Sequence, residues 1–132
     1  MDVYLTPDAR RSLEALTLLG GGRGYLMGHR RGPRFIVEAL VPAAGRRPLS
    51  GNDVRALDRV FGGPVLGFFA AGSGRSAAKK EALRPFGCGR IFLEARRGGG
   101  TGLSLEAFSV EFRGGFILAP LPVAPSRTRR RS

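Results

Sequence analysis

Few residues in this 132-residue chain can do chemistry, and they are scattered. There is one histidine, His29, and one cysteine, Cys88. His29 stands where an apolar run gives way to Arg30-Arg31, so it reads first as a strand-end or turn histidine and second as a ligand or base. Glu38 falls inside the apolar run FIVEALV. Buried there, it would be a base with a raised pKa; more often such a carboxylate reaches a sheet edge or pairs with an arginine. Cys88 lies between glycines just before a strand, with no acid or second histidine nearby to activate its thiol. A buried, small, apolar role is expected for it. Ser73 and Ser76 with Lys79-Lys80 have the makings of a Ser/Lys pair, although Ser76 also makes an ordinary helix N-cap. The glycines of GSGRS let backbone N–H groups approach an anion. Gly72, Arg75, Ser76, Lys79 and Lys80 therefore form the best candidate anion site, without the full strand, GxxxxGK[ST] and helix pattern of a phosphate loop. One histidine without a nearby cysteine gives no metal set, and no cofactor is expected.

The elements that must position these residues are readable. Val3 to Leu5 is a short strand. Thr6-Pro7-Asp8 then starts a helix: Thr6 caps, Pro7 suits the first position and Asp8 favours the positive end of the dipole. Ala9, Leu13 and Leu16 share one face, and Gly20-Gly21-Gly22 is expected to stop the helix. Gly24–Arg30 and Arg34–Val41 make a hairpin about Arg31-Gly32-Pro33. The second strand is apolar on both faces, as if covered on both. After the loop 42–48, Ser50 or Asn52 caps a helix over Asp53–Phe61 with Val54, Leu57 and Phe61 inward. Gly62-Gly63-Pro64 launches the strand Val65–Phe69, and Ala70 to Gly72 reads as the start of a small-residue loop. A helix over about 76–84, closed by Pro85, leads to the strand Arg90–Ala95 and a Gly-rich loop, 96–102. Two strands, Leu103–Phe112 and Phe116–Ala119, turn at Arg113-Gly114-Gly115. The mixture predicts an α/β domain, a mixed twisted sheet with packed helices, over 1–119, and a Pro/Arg-rich disordered tail over 120–132.

The chain carries a net charge of +12, and of its 22 basic residues only Lys79 and Lys80 are lysine. Such charge suits a polyanion, and Arg127, Arg129, Arg130 and Arg131 could bind RNA or DNA non-specifically. A GC-rich coding sequence would enrich Arg, Gly, Ala and Pro together with no functional meaning. No apolar run approaches the ~20 residues of a membrane span. MDVYLTPDARR lacks the pattern of a signal peptide, and a lone cysteine suits a reducing compartment, so a cytoplasmic protein is expected.

The succession helix, GYLMGHRRGPRFIVEALVP, helix, PVLGFF, small residues, RIFLEA resembles the MPN/JAMM domain family over about residues 3 to 118. The resemblance implies a single cytidine-deaminase-like domain. It also implies a zinc site in which two imidazoles and a carboxylate hold the ion while a glutamate takes a proton from zinc-bound water. Carried over position by position, the glutamate falls on Gly21. The histidines fall on Ala70 and Gly72, the family's proline on Ser73, and the carboxylate ligand on Lys79. None of these residues is a good zinc ligand. The resemblance therefore implies a pseudoenzyme-like scaffold or interaction domain, without metal, acting through a protein partner or as a homodimer. A basic nucleic-acid-associated protein is the alternative. A metal-independent hydrolase using Ser76 or Cys88 with Glu38 or His29 is the third.

Overall fold

The computed structural model of the chain describes residues 1–43, 48–61, 64–72, 75–97 and 103–125, and of residues 75–77 the backbone only. Its elements are β1 (Asp2–Leu5), α1 (Pro7–Leu18), β2 (Gly21–Arg31), β3 (Arg34–Pro42), α2 (Gly51–Phe61), β4 (Val65–Gly72), α3 (Arg75–Ala82), β5 (Ile91–Arg97), β6 (Leu103–Phe112) and β7 (Phe116–Leu121). A 3-10 turn, Pro85–Gly87, precedes β5.

The strands form one mixed sheet in the order β1-β3-β2-β4-β5-β6-β7. β1 with β3 and β4 with β5 are parallel, and the other neighbours are antiparallel. The sheet curls until its margins touch: Val3 bridges Val123, beyond the end of β7. α1 lies within the curl against β1 to β5, while α3 packs on the outer face against β4 and β5 and α2 against β4.

Two apolar clusters follow from this layering. The inner one joins Leu5, Ala9, Leu13, Leu26, Val37, Phe69, Ile91 and Leu93. The outer one joins Tyr25, Val54, Val65, Phe68, Ala78, Ala82, Phe92 and Val110. Phe68 and Phe69 serve opposite faces because successive strand residues alternate sides.

Local signals explain most element ends. Thr6 Oγ1 accepts the Ala9 N–H at 3.2 Å, and Pro7 opens α1, as the spacing predicts. Ser50, rather than Asn52, caps α2, its Oγ accepting the Asp53 N–H at 3.2 Å. Asp58 on α2 accepts the Val65 N–H at 2.7 Å and so ties the helix to the start of β4.

Several expectations need correction. Gly21 and Gly22 belong to β2, not to a helix stop, and Ala70 to Gly72 belong to β4, not to a loop, because these two segments pair with each other. Arg96 and Arg97 continue β5. The chain stays in the sheet past residue 119, with Pro120 and Leu121 in β7 and Val123 beside β1; residues 126–132 lie outside the described residues. β3 is fully buried on one face only, through Phe35 and Val37 of the inner cluster, while Ile36 on the other face stays part-exposed, since α1 packs on β3 and α2 packs instead on β4. Phe61 is not inward but 59% exposed: α2 is buried through Val54 and Leu57, and its last three residues, 59–61, are all exposed.

Candidate functional site

Gly21 on β2 and Gly72 on β4 are register partners. Ala70 lies two residues back along β4, paired on one side with Arg23 and on the other with Glu94 of β5. Lys79 on α3 reaches the same point, its Nζ 3.3 Å from Glu94 Oε2. The structure thus brings together Gly21, Ala70, Gly72 and Lys79, on the outer face at the carboxyl end of β4.

The backbone there leaves no room for larger side chains. Gly21 has φ +93°, and a Cβ on it would stand 2.0 Å from the Ala71 carbonyl oxygen. Gly72 has φ +70°, and its Cβ would stand 2.8 Å from the Gly20 carbonyl oxygen. Both conformations disfavour any residue with a Cβ. Ala70 is buried in the outer cluster with Ala78 and Ala82 of α3.

Charge takes the place of donors. Arg23 lies 3.4 Å from Glu81, whose other oxygen accepts the Leu49 N–H at 3.0 Å. The Lys79 ammonium also stands 5.7 Å from the centre of the Phe108 ring. Glu94 is only 7% exposed, and a carboxylate so buried requires a partner. Two cations and two carboxylates from β2, α3 and β5 thus compensate one another and fasten α3 to the sheet. A zinc ion does not fit these residues. The expected base position, Gly21, and one expected ligand position, Gly72, leave no room for a side chain, Ala70 is packed under α3, and Lys79 is cationic. Among the described residues no three His, Cys, Asp or Glu side chains converge as a metal set.

A second feature of the outer face is an open groove of about 240 Å³ between α2 and the end of β3, lined by Tyr25, Val41, Pro42, Ala43, Asp53, Ala56 and Leu57. Tyr25 donates to Asp53 Oδ2 at 3.0 Å and accepts the Ser50 N–H at 3.0 Å. Burial pushes the phenol above its ordinary pKa; the Ser50 N–H opposes that shift and Asp53 adds to it. The phenol is therefore a structural pin for α2, protonated at neutral pH.

The remaining candidates do not converge on either place. His29 Nδ1 is 2.9 Å from Glu38 Oε1, and both side chains are about half exposed. Glu38 faces solvent because it is the extra residue of a β-bulge: Met27 pairs with Ala39 and Gly28 with Val37. Its partner is the histidine rather than an arginine. Cys88 is exposed, contrary to the buried role expected, because it caps the 3-10 turn instead of entering β5. The strand β4 separates β2, which carries His29, from β5, which Cys88 precedes. Of the anion-site residues, Lys79 is turned to Glu94, Lys80 is exposed, and the side chains of Arg75 and Ser76 lie outside the described set, as do Ser73 and Arg127, Arg129, Arg130 and Arg131. Sequence reasoning missed Arg23, Glu81 and Glu94. The signal for Glu94 was present, a lone acid in the apolar strand RIFLEA.

No protein-family profile matches the chain, and no curated protein does. Among solved structures, the solution structure of a structural-genomics target from Desulfitobacterium hafniense is similar. It superposes with a TM-score of 0.61 over 96% of this chain and 95% of that one, at 16% identity. The likeness extends to the fold alone. Among the described residues no helix is long and apolar enough to cross a membrane.

Proposed function

We propose that this protein is a non-catalytic, MPN/JAMM-like interaction or scaffold domain that works by binding a protein partner. The observation that carries the reading is the contact of Gly21 with Gly72. Where the resemblance calls for a glutamate and an imidazole, two backbones touch, and the neighbouring charges are spent on ion pairs that hold α3. An arrangement of this kind retains a scaffold, and its described carboxylates, Glu81 and Glu94, are engaged by Arg23 and Lys79. A partner-binding role also accounts for large apolar side chains left in solvent, among them Leu19, Val60, Phe61 and Phe112.

Zinc binding tests the reading. Calorimetric titration of the purified chain, with metal analysis after dialysis, should detect no tight zinc site. About one zinc per chain, held tightly enough to survive dialysis, would overturn the proposal.

A net charge of +12 favours nucleic-acid binding as a second reading. It requires oligonucleotide affinity that falls steeply with salt and drops when residues 127–131 are removed. Flat binding curves at low salt dismiss it.

A further inference from the structure

β7 is the last strand of the sheet and pairs with β6 alone. Its ladder phase can be read from β6. Val110 donates its N–H to the Arg90 carbonyl and accepts the Gly89 N–H, both at 2.9 Å, so even-numbered residues of β6 face β5 and odd-numbered ones face β7. Ser109 pairs with Ala119 and Glu111 with Ile117. The odd residues of β7 therefore bond to β6, while Phe116, Leu118 and Pro120 turn their backbone groups outward. Pro120 falls on this outward row, where its missing N–H costs the β6 ladder nothing. The row is taken up again only at Pro122, whose carbonyl accepts the Val3 N–H at 3.0 Å, and at Ala124, which donates to the Val3 carbonyl at 2.8 Å. Among the described residues, the N–H and C=O of Phe116 and Leu118 and the C=O of Pro120 have no neighbouring strand.

This edge is self-complementary. We propose that it joins the same edge of a second copy, antiparallel, about a two-fold axis at Leu118. Each Leu118 N–H then meets the partner's Leu118 carbonyl, and each Phe116 N–H meets the partner's Pro120 carbonyl. Pro120 supplies that acceptor but no N–H, so the Phe116 carbonyls at the two ends of the shared ladder are left without a donor. Two copies of a chain with net charge +12 repel, yet residues 114–125 carry no charged side chain. Exposed edges are commonly guarded by lysine, an inward charge or proline; β7 has no charge, and its proline, Pro120, stands at the end of the shared ladder and not in its middle. Beside the edge, Phe112 is 61% exposed, its ring 5.1 Å from that of Phe116, and Ile117 is part-exposed. A paired second copy covers this apolar margin and makes one continuous sheet, an isologous form of strand addition. The dimer does not depend on the fate of the metal site, so zinc titration and oligomeric state are read separately.

Sedimentation velocity of the full chain over a concentration series should show a monomer–dimer equilibrium. Hydrogen exchange should show the Phe116 and Leu118 amides gaining protection as concentration rises, with Ile117 and Ala119 already protected in the monomer. Leu118→Pro deletes an N–H used twice in the dimer and spares the β6–β7 bonds, so the dimer should weaken at least roughly tenfold. Leu118→Ala keeps the amide and should still dimerise. If Leu118→Pro does not fold, the exchange measurement on the native chain decides alone. A monomer at every concentration overturns the proposal. So does a dimer whose Phe116 and Leu118 amides stay unprotected, or one that folded Leu118→Pro leaves intact.

Discussion

The two faces of the sheet are built on different principles. Inside the curl, α1 and the inner strand residues form a cluster with no buried charge; its polar members, Thr17 and Ser109, bond locally to the Leu13 carbonyl and to Glu111. On the outer face, α2 and α3 are held as much by directed contacts as by burial: Tyr25 with Asp53, Arg23 with Glu81, Lys79 with Glu94. The inner face is sensitive to volume, and the outer face to the identity and pairing of polar groups. A site for chemistry needs the second kind of surface. Here that surface has the pairing, and the positions the resemblance assigns to chemistry hold Gly21, Ala70, Gly72 and Lys79.

Substitutions that remove volume from the inner face should do the greatest harm. Phe69→Ala should cost about 3–5 kcal/mol in chemical denaturation, since Phe69 is fully buried against α1 and its neighbours. A loss under about 1 kcal/mol would show that the inner face tolerates voids.

Gly21→Ala comes next. A methyl driven against the Ala71 carbonyl at positive φ should cost roughly 3 kcal/mol, combining overpacking with a left-handed backbone. Gly20→Ala, also at positive φ but with open space around it, should cost only about 1–2 kcal/mol. Equal losses for the two would mean that the close contact between β2 and β4 is not the constraint.

Pairing on the outer face should register more weakly. A double-mutant cycle with Lys79→Met and Glu94→Gln should give a coupling of about 1 kcal/mol, because the ammonium is partly solvated although the carboxylate is buried. No coupling would make the pair a bystander and leave α3 held by its alanines and by Arg23 with Glu81.

The smallest effect is expected at the rim. Hydrogen bonds from the Arg34 guanidinium hold the Asp2 carboxyl below its ordinary pKa, against the opposing effect of desolvation. A depressed folded-state pKa contributes stability above the unfolded value and loses it as pH falls through the folded one. The stabilities of the wild type and Asp2→Asn should therefore converge in acid and separate slightly at neutral pH. A gap that widens on acidification would contradict the assignment.

Much of this architecture is legible in the sequence. Thr6-Pro7-Asp8 started α1 as capping chemistry requires, and Arg31-Gly32-Pro33 and Arg113-Gly114-Gly115 turned the hairpins. The errors share a cause. Gly21-Gly22 and Ala70-Ala71-Gly72 read as breaks because small residues are poor in local preference. Here they are strand residues that let two backbones approach. Phe61 obeyed the helical period, but periodicity names a face and not how far along the helix that face is buried.

Composition, capping residues and turn glycines determined by themselves that this chain makes a mixed α/β domain, and which segments become helices and strands. These are short-range preferences, written within a few residues of where they act. Only the tertiary structure decided that Gly21 meets Gly72, that Lys79 and Glu94 neutralise each other, and that no described strand lies beyond the outer edge of β7 at Phe116 to Pro120. Each of these depends on strand order and register, which set distances between residues far apart in the chain.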